Sequence, residues 1–256
     1  MNIFSFDNTF EGLLTLVFES YQQKQFPDEI LSEEGTQNVL FGATLAVRTD
    51  ERKAEQVWKG IIARSSEENA HRIYRVFLAD LPDTPNLLLK YIRVILDSDK
   101  NEETNFSIPV VVEFNKLHKK VCKEAHRIQM FVRFQKTMEG SYYASFAPMY
   151  DVLPLCIPYF RDRYADQSWI IYDLKRNYGF WFDLKTVSRV VFDELKVNPQ
   201  NGQLHSTLLA EDEKNFQQLW KQYYQSICIQ ERKNDKVHLQ LLPKRFWKFL
   251  PEKGGF

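Results

Sequence analysis

Cysteine is scarce in this sequence, and the few cysteines present are widely separated. The 256 residues contain only Cys122, Cys156 and Cys228. An odd number at this spacing does not form the disulfide framework that stabilises small secreted domains. The cysteine content therefore indicates a reducing compartment, and we expect a cytoplasmic location.

Long apolar runs are missing as well. No stretch approaches the roughly 18 apolar residues of a membrane-spanning helix. The opening residues, MNIFSFDNTF, lack the positive charges that begin a secretory signal peptide. We therefore expect a soluble protein without a membrane partner. A hydrophobic content of 44% with 27% charged residues is typical of a globular chain and argues against global disorder.

The signatures of common cofactors are also absent. The sequence has no G-x-G-x-x-G motif, no P-loop and no C-x3-C-x2-C motif for an iron–sulfur cluster, and its nine glycines are dispersed. No local pattern marks a serine or cysteine nucleophile. We expect no cofactor, and these patterns leave open whether the protein is an enzyme.

One group of metal-binding residue types does occur, at helical spacing. His118, Cys122 and His126 form H-x3-C-x3-H, but a rise of 1.5 Å per residue puts the two histidines about 12 Å apart. Neighbouring members could share a metal, yet no other cysteine or histidine cluster supplies the remaining ligands. We predict no metal site, and expect a partly buried histidine and a core cysteine instead.

Charge is unevenly distributed along a chain whose net charge is zero. Residues 1–40 contain one lysine against seven acidic residues, a net charge of −6. Residues 116–136 contain seven basic residues against one acidic residue, and residues 232–253 contain seven against two, giving +6 and +5. Segregation of this kind points to a polyanionic partner, although charge runs are often only solvated faces.

Hydrophobic periodicity predicts an α+β fold with a mostly helical part at residues 1–105 and an α+β core at 106–256, which could also form one continuous domain. In the first part we predict a strand at 3–6, a helix capped by Asn8, a strand or buried helix at 41–47, and helices after Asp50, around 73–77 and from Thr84. In the second part we predict helices at about 108–127, 152–164 and 215–227. The predicted strands there, in an antiparallel or mixed sheet, are residues 130–135, 142–147, 169–174, 178–182 and 187–192. Glu139-Gly140 and Asn177 indicate hairpin turns.

The helix predicted at 108–127 has two contrasting faces. At 100° per residue its apolar side chains cluster within about 80°, whereas a basic group falls within about 100° on the other side. Such a face is either solvated or a contact surface for phosphates. Its members are Lys116, Lys119, Lys120, Lys123 and Arg127.

Three further patterns have both a structural and a functional interpretation. Asp173 lies among bulky apolar residues and either anchors a hairpin with Arg176 or acts as a base or ligand at a strand end. In the terminal LLPKRFWKFLPE, Lys244 and Arg245 flank rings such as Trp247, which suits nucleic-acid stacking or packing of the rings on the core. The late helix is predicted to bury its ring and leucine side chains, namely Phe216, Leu219, Trp220, Tyr223 and Tyr224.

Several motifs in order carry a resemblance to a known family. The segments EAHRIQMFVRF, YYASFAP, PYFRDRYADQSWIIYDLKR and LPKRFWKFLPE together resemble an uncharacterised bacterial family described as "probable DNA metabolism" proteins. The resemblance spans roughly residues 1–251 and is strongest from 124 to 183. It implies a gene neighbour that is a radical S-adenosylmethionine protein, and a related domain is fused to uracil-DNA glycosylases. This chain lacks the fused enzyme, so glycosylase activity is not implied for it.

The resemblance also implies which positions matter, and we expect the arginines and Trp247 among them to bind nucleic acid. One position departs from the family pattern, because Tyr159 stands where a histidine is expected, which weakens any scheme with a base there. The matching positions are Glu124, His126, Arg127, Arg133 and Phe134, then Arg161, Arg163, Asp173 and Arg176, and finally Pro243, Arg245 and Trp247.

Three hypotheses for function follow from these observations. In the first, the protein is a nucleic-acid-binding accessory in DNA metabolism or repair, with DNA and the radical S-adenosylmethionine protein as partners. In the second, it is an enzyme on DNA in which His126, with Glu124 or Asp173, performs acid–base chemistry. In the third, it is a non-catalytic assembly protein. The group around Glu124, Arg127 and Arg133 either forms a cationic pocket for a phosphate or an extruded base, or a buried network that braces the structure.

Overall fold

The computed structural model describes residues 2–32, 43–192 and 196–254. It confirms the α+β class, with helices dominant in the N-terminal part and a five-stranded mixed sheet with flanking helices in the C-terminal part. The chain forms two compact units, residues 1–122 and 123–256. The division lies inside one long helix, whereas the sequence placed a boundary at residues 105 and 106, ahead of that helix.

The first unit contains a small parallel sheet with helices. Strand β1 lies in the centre and pairs in parallel with both neighbours, in the order β2-β1-β3. In the predicted stretch 41–47, residues 43–46 form a strand, and residues 41 and 42 lie outside the described residues. The elements are β1 (Asn2–Phe6), α1 (Phe10–Gln22), β2 (Glu29–Ser32), β3 (Ala43–Ala46), α2 (Glu51–Arg64), α3 (Glu67–Phe77), α4 (Thr84–Asp97) and α5 (Pro109–Phe131), which continues into the second unit.

The cap of α1 differs by one residue from the prediction. Thr9, not Asn8, is the N-cap, and its Oγ1 accepts a hydrogen bond from the backbone N–H of Gly12 at 2.9 Å. Asn8 has a φ of 60°, a left-handed conformation rather than the extended backbone that an N-cap normally adopts. The predicted cap at Asp50 is confirmed, since its carboxylate accepts from the amides of Arg52 and Lys53.

The second unit is built around the five-stranded sheet, in the order β4-β5-β6-β7-β8. Only β5 and β6 are parallel, because α6 crosses over between them, and the other pairs are antiparallel. The predicted hairpin turn at Asn177 is confirmed, with a φ of 54°. The elements are β4 (Gln135–Lys136), β5 (Tyr142–Phe146), α6 (Leu153–Arg163), β6 (Trp169–Asp173), β7 (Tyr178–Phe182), β8 (Val187–Val190), α7 (Glu213–Ser226), α8 (Asp235–Leu241) and α9 (Lys244–Trp247), with 3-10 turns at Gln230–Arg232 and Pro251–Lys253.

The strand predicted at 130–135 is wrong for most of its length. Helix α5 continues to Phe131, and the backbone N–H of Val132 still donates to the carbonyl of Ile128 at 3.0 Å. Ile128 is buried and extends the apolar stripe of Val121 and Ala125. The helical period therefore persists to Phe131, inside the segment that was predicted as a strand, and β4 begins only at Gln135.

The predicted burial of the α7 side chains is also wrong. Phe216, Leu219 and Tyr223 are 57%, 58% and 55% exposed, and Trp220 is 36% exposed. Their spacing correctly indicated one face of a helix. Periodicity shows which residues share a face, but it does not show whether another element covers that face.

No helix among the described residues is both long enough and apolar enough to cross a membrane.

His118 in the first unit makes the stability of the fold dependent on pH. Burial, and secondarily the positive charges of Arg72 and Arg75, lower the pKa of His118 to about 4. The unfolded chain, with a histidine pKa near 6.5, therefore binds more protons than the folded chain between about pH 6.5 and 4. Stability that is present above pH 6.5 is lost as the pH falls through this window.

We expect His118→Gln to lose less stability than the wild type when the pH falls from 6.5 to 4. Each protein is compared with its own stability at pH 7. His126→Gln is the control, because His126 is exposed on the same helix, and its curve should follow the wild type. Urea midpoints at each pH measure the effect. Parallel curves for the wild type and His118→Gln would contradict the assignment.

Candidate functional site

A buried carboxylate lies at the centre of the residues that the sequence singled out in the second unit. Glu124 on α5 is 2% exposed. One of its oxygens accepts a hydrogen bond from the guanidinium of Arg245, and Arg127 Nη1 lies 3.8 Å from the same oxygen. The other oxygen accepts from the backbone N–H of Met149 at 3.0 Å. Glu124 thus joins α5 to α9 and to the loop after β5.

The same loop residue carries a second set of contacts. The carbonyl of Met149 accepts from Lys175 Nζ at 3.1 Å and from Arg176 Nη2 at 3.4 Å. Arg176 Nη1 in turn donates to Asp173 Oδ2 at 3.0 Å. The peptide groups of Met149 therefore connect the Glu124 ion pairs to the Asp173 ion pair. We call this continuous set of contacts the Met149 network.

Asp173 ends β6 and organises the following turn. Its carboxylate has no exposed side-chain surface, and Oδ1 accepts from the backbone amides of Lys175 and Arg176 at 2.8 and 3.2 Å. The interpretation of Asp173 as a hairpin anchor is thereby confirmed. Burial raises the pKa of Asp173, against the opposing effect of Arg176. Every hydrogen bond described for this carboxylate comes from a residue of the turn, Lys175 or Arg176.

Arg127 follows Glu124 by one helical turn and is also largely enclosed. Its Nη2 donates to the carbonyl of Gln240 at 2.9 Å, so it ties α5 to the end of α8. Burial, and secondarily the neighbouring Arg245, lower the pKa of Arg127. Arg127 therefore belongs to the contacts that hold Glu124 in place, and not to the group of exposed lysines on the same helix.

Arg133 forms a separate ion pair beyond the end of α5. Its Nη2 donates to Glu252 Oε1 at 2.6 Å, and its Nη1 donates to the carbonyl of Val132 at 3.1 Å. The other oxygen of Glu252 accepts from the indole N–H of Trp220 at 2.9 Å. The Arg133 guanidinium also lies 5.1 Å from the centre of the Trp220 ring, within the range of a cation–π interaction.

The terminal aromatic block packs as a structural segment. Phe246, Phe249 and Leu250 are buried, and the indole N–H of Trp247 donates to the carbonyl of Leu242 at 3.1 Å. This confirms the interpretation that the rings pack on the core, but Arg245 donates to buried Glu124 instead of facing outward. Lys244 is exposed.

The remaining predicted residues lie on the surface. Arg161 pairs with its neighbour Asp162, and Arg163 lies over the ring of Tyr164 at 5.4 Å. His126 is exposed and is not part of the Met149 network. Four lysines of α5 are exposed, and none forms an ion pair or hydrogen bond with a residue that the structure describes. They are Lys116, Lys119, Lys120 and Lys123.

The H-x3-C-x3-H residues do not converge on one point. Cys122 Sγ lies 3.4 Å from His118 Nε2. Within the part of the chain that the structure describes, no group of three or more His, Cys, Asp or Glu residues could hold a metal ion. Burial raises the pKa of the Cys122 thiol, which disfavours the thiolate that a metal would bind.

Two members of the site could not be identified from residue type. Met149 acts through its backbone groups, and the side chain gives no sign of this role. Glu252 appears in the terminal segment LPE, but only the fold places it against Arg133, 119 residues earlier in the chain. One feature of the sequence could have identified Glu252: it is the only acidic residue besides Asp235 in residues 232–253, among seven basic residues.

A comparison with protein families gives a match that covers more than half of the chain. Residues 82–252 match the model of DUF4130, a domain of unknown function. The chain belongs to the DUF4130 family. The matched region begins just before α4 and ends at Glu252, so the DUF4130 domain includes α5, the whole Met149 network and the Arg133–Glu252 pair. Neither the search of curated proteins nor the search of solved structures found a match.

We expect Glu124→Gln to destabilise the protein by about 3 kcal/mol, because it leaves Arg127 and Arg245 facing each other without a compensating charge. Arg161→Gln is a matched control that also breaks an ion pair, but an exposed one, and it should change stability by less than about 0.5 kcal/mol. Chemical denaturation of the three proteins measures both changes. Equal small effects would show that the Glu124 pairs contribute little.

Proposed function

We propose that this DUF4130 protein is a DNA-binding accessory in DNA metabolism or repair that works with a radical S-adenosylmethionine protein. The observation that supports DNA binding is the row of four exposed lysines on α5, which we call the lysine row: Lys116, Lys119, Lys120 and Lys123. No described residue neutralises any of the four ammonium groups.

The arrangement of the lysine row is unfavourable for the helix by itself. Neighbours three and four residues apart lie on one face, where like charges repel and Glu–Lys pairs would stabilise the helix instead. The row extends about 10 Å along the helix axis at 1.5 Å per residue. This length is comparable to the rise of about three nucleotides along one strand of duplex DNA. A phosphate backbone would supply the missing negative charges.

The arginines contribute less to this proposal than the sequence suggested. Arg127, Arg133, Arg176 and Arg245 all donate to protein oxygens in the second unit. A guanidinium that is already committed to a buried carboxylate is not free to bind a phosphate without breaking that pair. The exposed Arg161, Arg163 and Lys244 remain candidate contacts beside the lysine row.

The radical S-adenosylmethionine partner rests on the family resemblance alone. The resemblance implies that the two proteins act in one process, and in this proposal the present chain binds the nucleic acid. The third hypothesis, an assembly role without DNA, shares the partner and differs only in the nucleic acid. The two hypotheses are distinguished by whether the protein binds DNA.

The geometry favours binding over acid–base catalysis. Glu124 and Asp173 are enclosed in ion pairs, whereas a general base needs access to the proton that it removes. His126 is exposed and makes no hydrogen bond with any described residue, so no carboxylate orients it. The enzyme hypothesis stays a prediction without geometric support.

We expect the replacement of the whole lysine row by glutamine to weaken DNA binding and its salt dependence. The slope of log affinity against log salt should fall by up to about 0.9 for each duplex phosphate that the variant no longer neutralises. Folding should change little, because the side chains are exposed and glutamine has a similar helix propensity. Fluorescence anisotropy with a labelled duplex at several salt concentrations measures the slope.

The control removes the same charge from elsewhere in the first unit and from the turn between β7 and β8. Lys24, Lys90, Lys100 and Lys185 are all exposed, and a quadruple glutamine variant of these four should keep most of the wild-type slope. If both quadruple variants lose affinity equally, net charge rather than the lysine row controls binding. A wild type without affinity for any DNA at low salt would refute the proposal.

We expect the protein to co-purify with the radical S-adenosylmethionine protein when the two are expressed together, and the lysine-row variant to retain this association. Nuclease treatment before the final step distinguishes a direct contact from tethering through DNA. Loss of the complex on nuclease treatment would indicate tethering. Failure to associate under either condition would remove the partner from the proposal.

A further inference from the structure

A cavity of about 390 Å³ lies in the second unit, between α7 and the region where α5 gives way to β4. This volume is within the range of small-molecule binding sites. Four aromatic rings line it: Phe134, Tyr142, Phe216 and Trp220. Two of them, Phe216 and Trp220, are 57% and 36% exposed, so their ring surfaces are accessible from solvent.

The Trp220 ring is held in place although it is accessible. Its indole N–H donates to Glu252 Oε2 at 2.9 Å, and Glu252 is itself held by Arg133 at 2.6 Å. The Arg133 guanidinium lies 5.1 Å from the ring centre. A ring fixed by a partly buried ion pair loses little conformational entropy when a ligand stacks on it. The arrangement resembles a preformed stacking platform.

The two cations that line the cavity are already paired with carboxylates. Arg133 pairs with Glu252, and Lys136 Nζ pairs with Asp212 at 2.9 Å. Buried Glu213 accepts from the backbone N–H of Lys136 at 2.9 Å. These cations have protein partners, so the ligand that fits this cavity is a neutral planar ring rather than a phosphate group.

Two neutral polar groups remain for the edge of such a ring. Gln217 uses its amide nitrogen on Glu213 at 2.8 Å, and its amide oxygen accepts from no residue that the structure describes. The Tyr142 hydroxyl likewise makes no hydrogen bond with a described residue. Both residues line the cavity. They offer an acceptor and a group that can donate or accept.

We propose that this cavity binds one unpaired nucleobase of a single nucleic-acid strand, stacked on Trp220 and contacted at its edge by Tyr142 and Gln217. Ring stacking with few charges is how proteins hold bases of single strands. The base of a duplex has both ring faces covered by its neighbours, so the cavity selects unpaired over paired nucleotides. This goes beyond the proposed DNA binding through the lysine row.

The test uses the full-length protein with a labelled 12-nucleotide thymine strand, a labelled 12-base-pair duplex and free thymidine as probes. Trp220→Ala should raise the dissociation constant for the single strand about tenfold, with little change for the duplex. Trp220→Phe retains a ring and should bind the strand within about threefold of wild type. Phe216→Ala, at a more exposed position, should weaken strand binding in the same direction.

Trp181→Ala is the matched control. Trp181 on β7 is 43% exposed and also donates its indole N–H, to Ser168 Oγ at 3.2 Å, but it does not line the cavity. It should leave strand binding unchanged. Circular dichroism checks that each variant is folded. Thymidine should compete with the strand in the wild type and not in Trp220→Ala.

Three results would overturn the cavity assignment. They are a folded Trp220→Ala that binds the strand like the wild type, an equal loss in Trp181→Ala, and a wild type that binds the duplex but no single strand. The last result would leave the lysine-row proposal intact, because that proposal depends on the salt slope of the duplex. In the first case, a simultaneous loss of the protein partner by Trp220→Ala would identify the cavity as a protein-docking site.

Discussion

The buried carboxylate of Glu124 is the interaction on which the second unit depends. An ionised carboxylate removed from water is stable only when cations and hydrogen-bond donors surround it. Arg245 and Arg127 supply the charge, and the backbone N–H of Met149 supplies a further donor. Because these groups come from α9, α5 and the loop after β5, one carboxylate holds together three segments that are far apart in sequence. Through the carbonyl of Met149 the same contacts reach the hairpin at Asp173.

The basic residues of α5 and of the second unit divide by chemistry. Arginine presents a planar fork of donors and tolerates partial burial, whereas the lysine ammonium is strongly hydrated. In accordance with this difference, Arg127, Arg133, Arg176 and Arg245 face protein carboxylates or carbonyls. The lysine row stays on the surface. A strongly basic segment can therefore be structural on its arginine side and available to a polyanion on its lysine side.

A similar division separates the two places where nucleic acid is proposed to bind. The lysine row offers charge without rings, which suits a phosphate backbone of any sequence. The cavity beside Trp220 offers rings whose neighbouring cations are already paired, which suits a base and not a phosphate. Phe216 and Trp220 are exposed on α7, and a base would cover apolar surface that the unit itself leaves open. The ion pair of Arg133 and Glu252 links this cavity to the end of α5.

The sequence by itself determined the local structure: the α+β class, most helices and strands, the cap at Asp50 and the turn at Asn177, because periodicity, capping and turn chemistry act between near neighbours. It also identified Glu124, Arg127, Asp173 and Arg176 as residues of interest. Only the tertiary structure decided which cation each carboxylate meets, since Glu124 and Arg245 are 121 residues apart. It likewise decided that α5 runs on to Phe131 and that the apolar face of α7 stays exposed. Burial and long-range pairing depend on which segments pack together, and no local pattern contains that information.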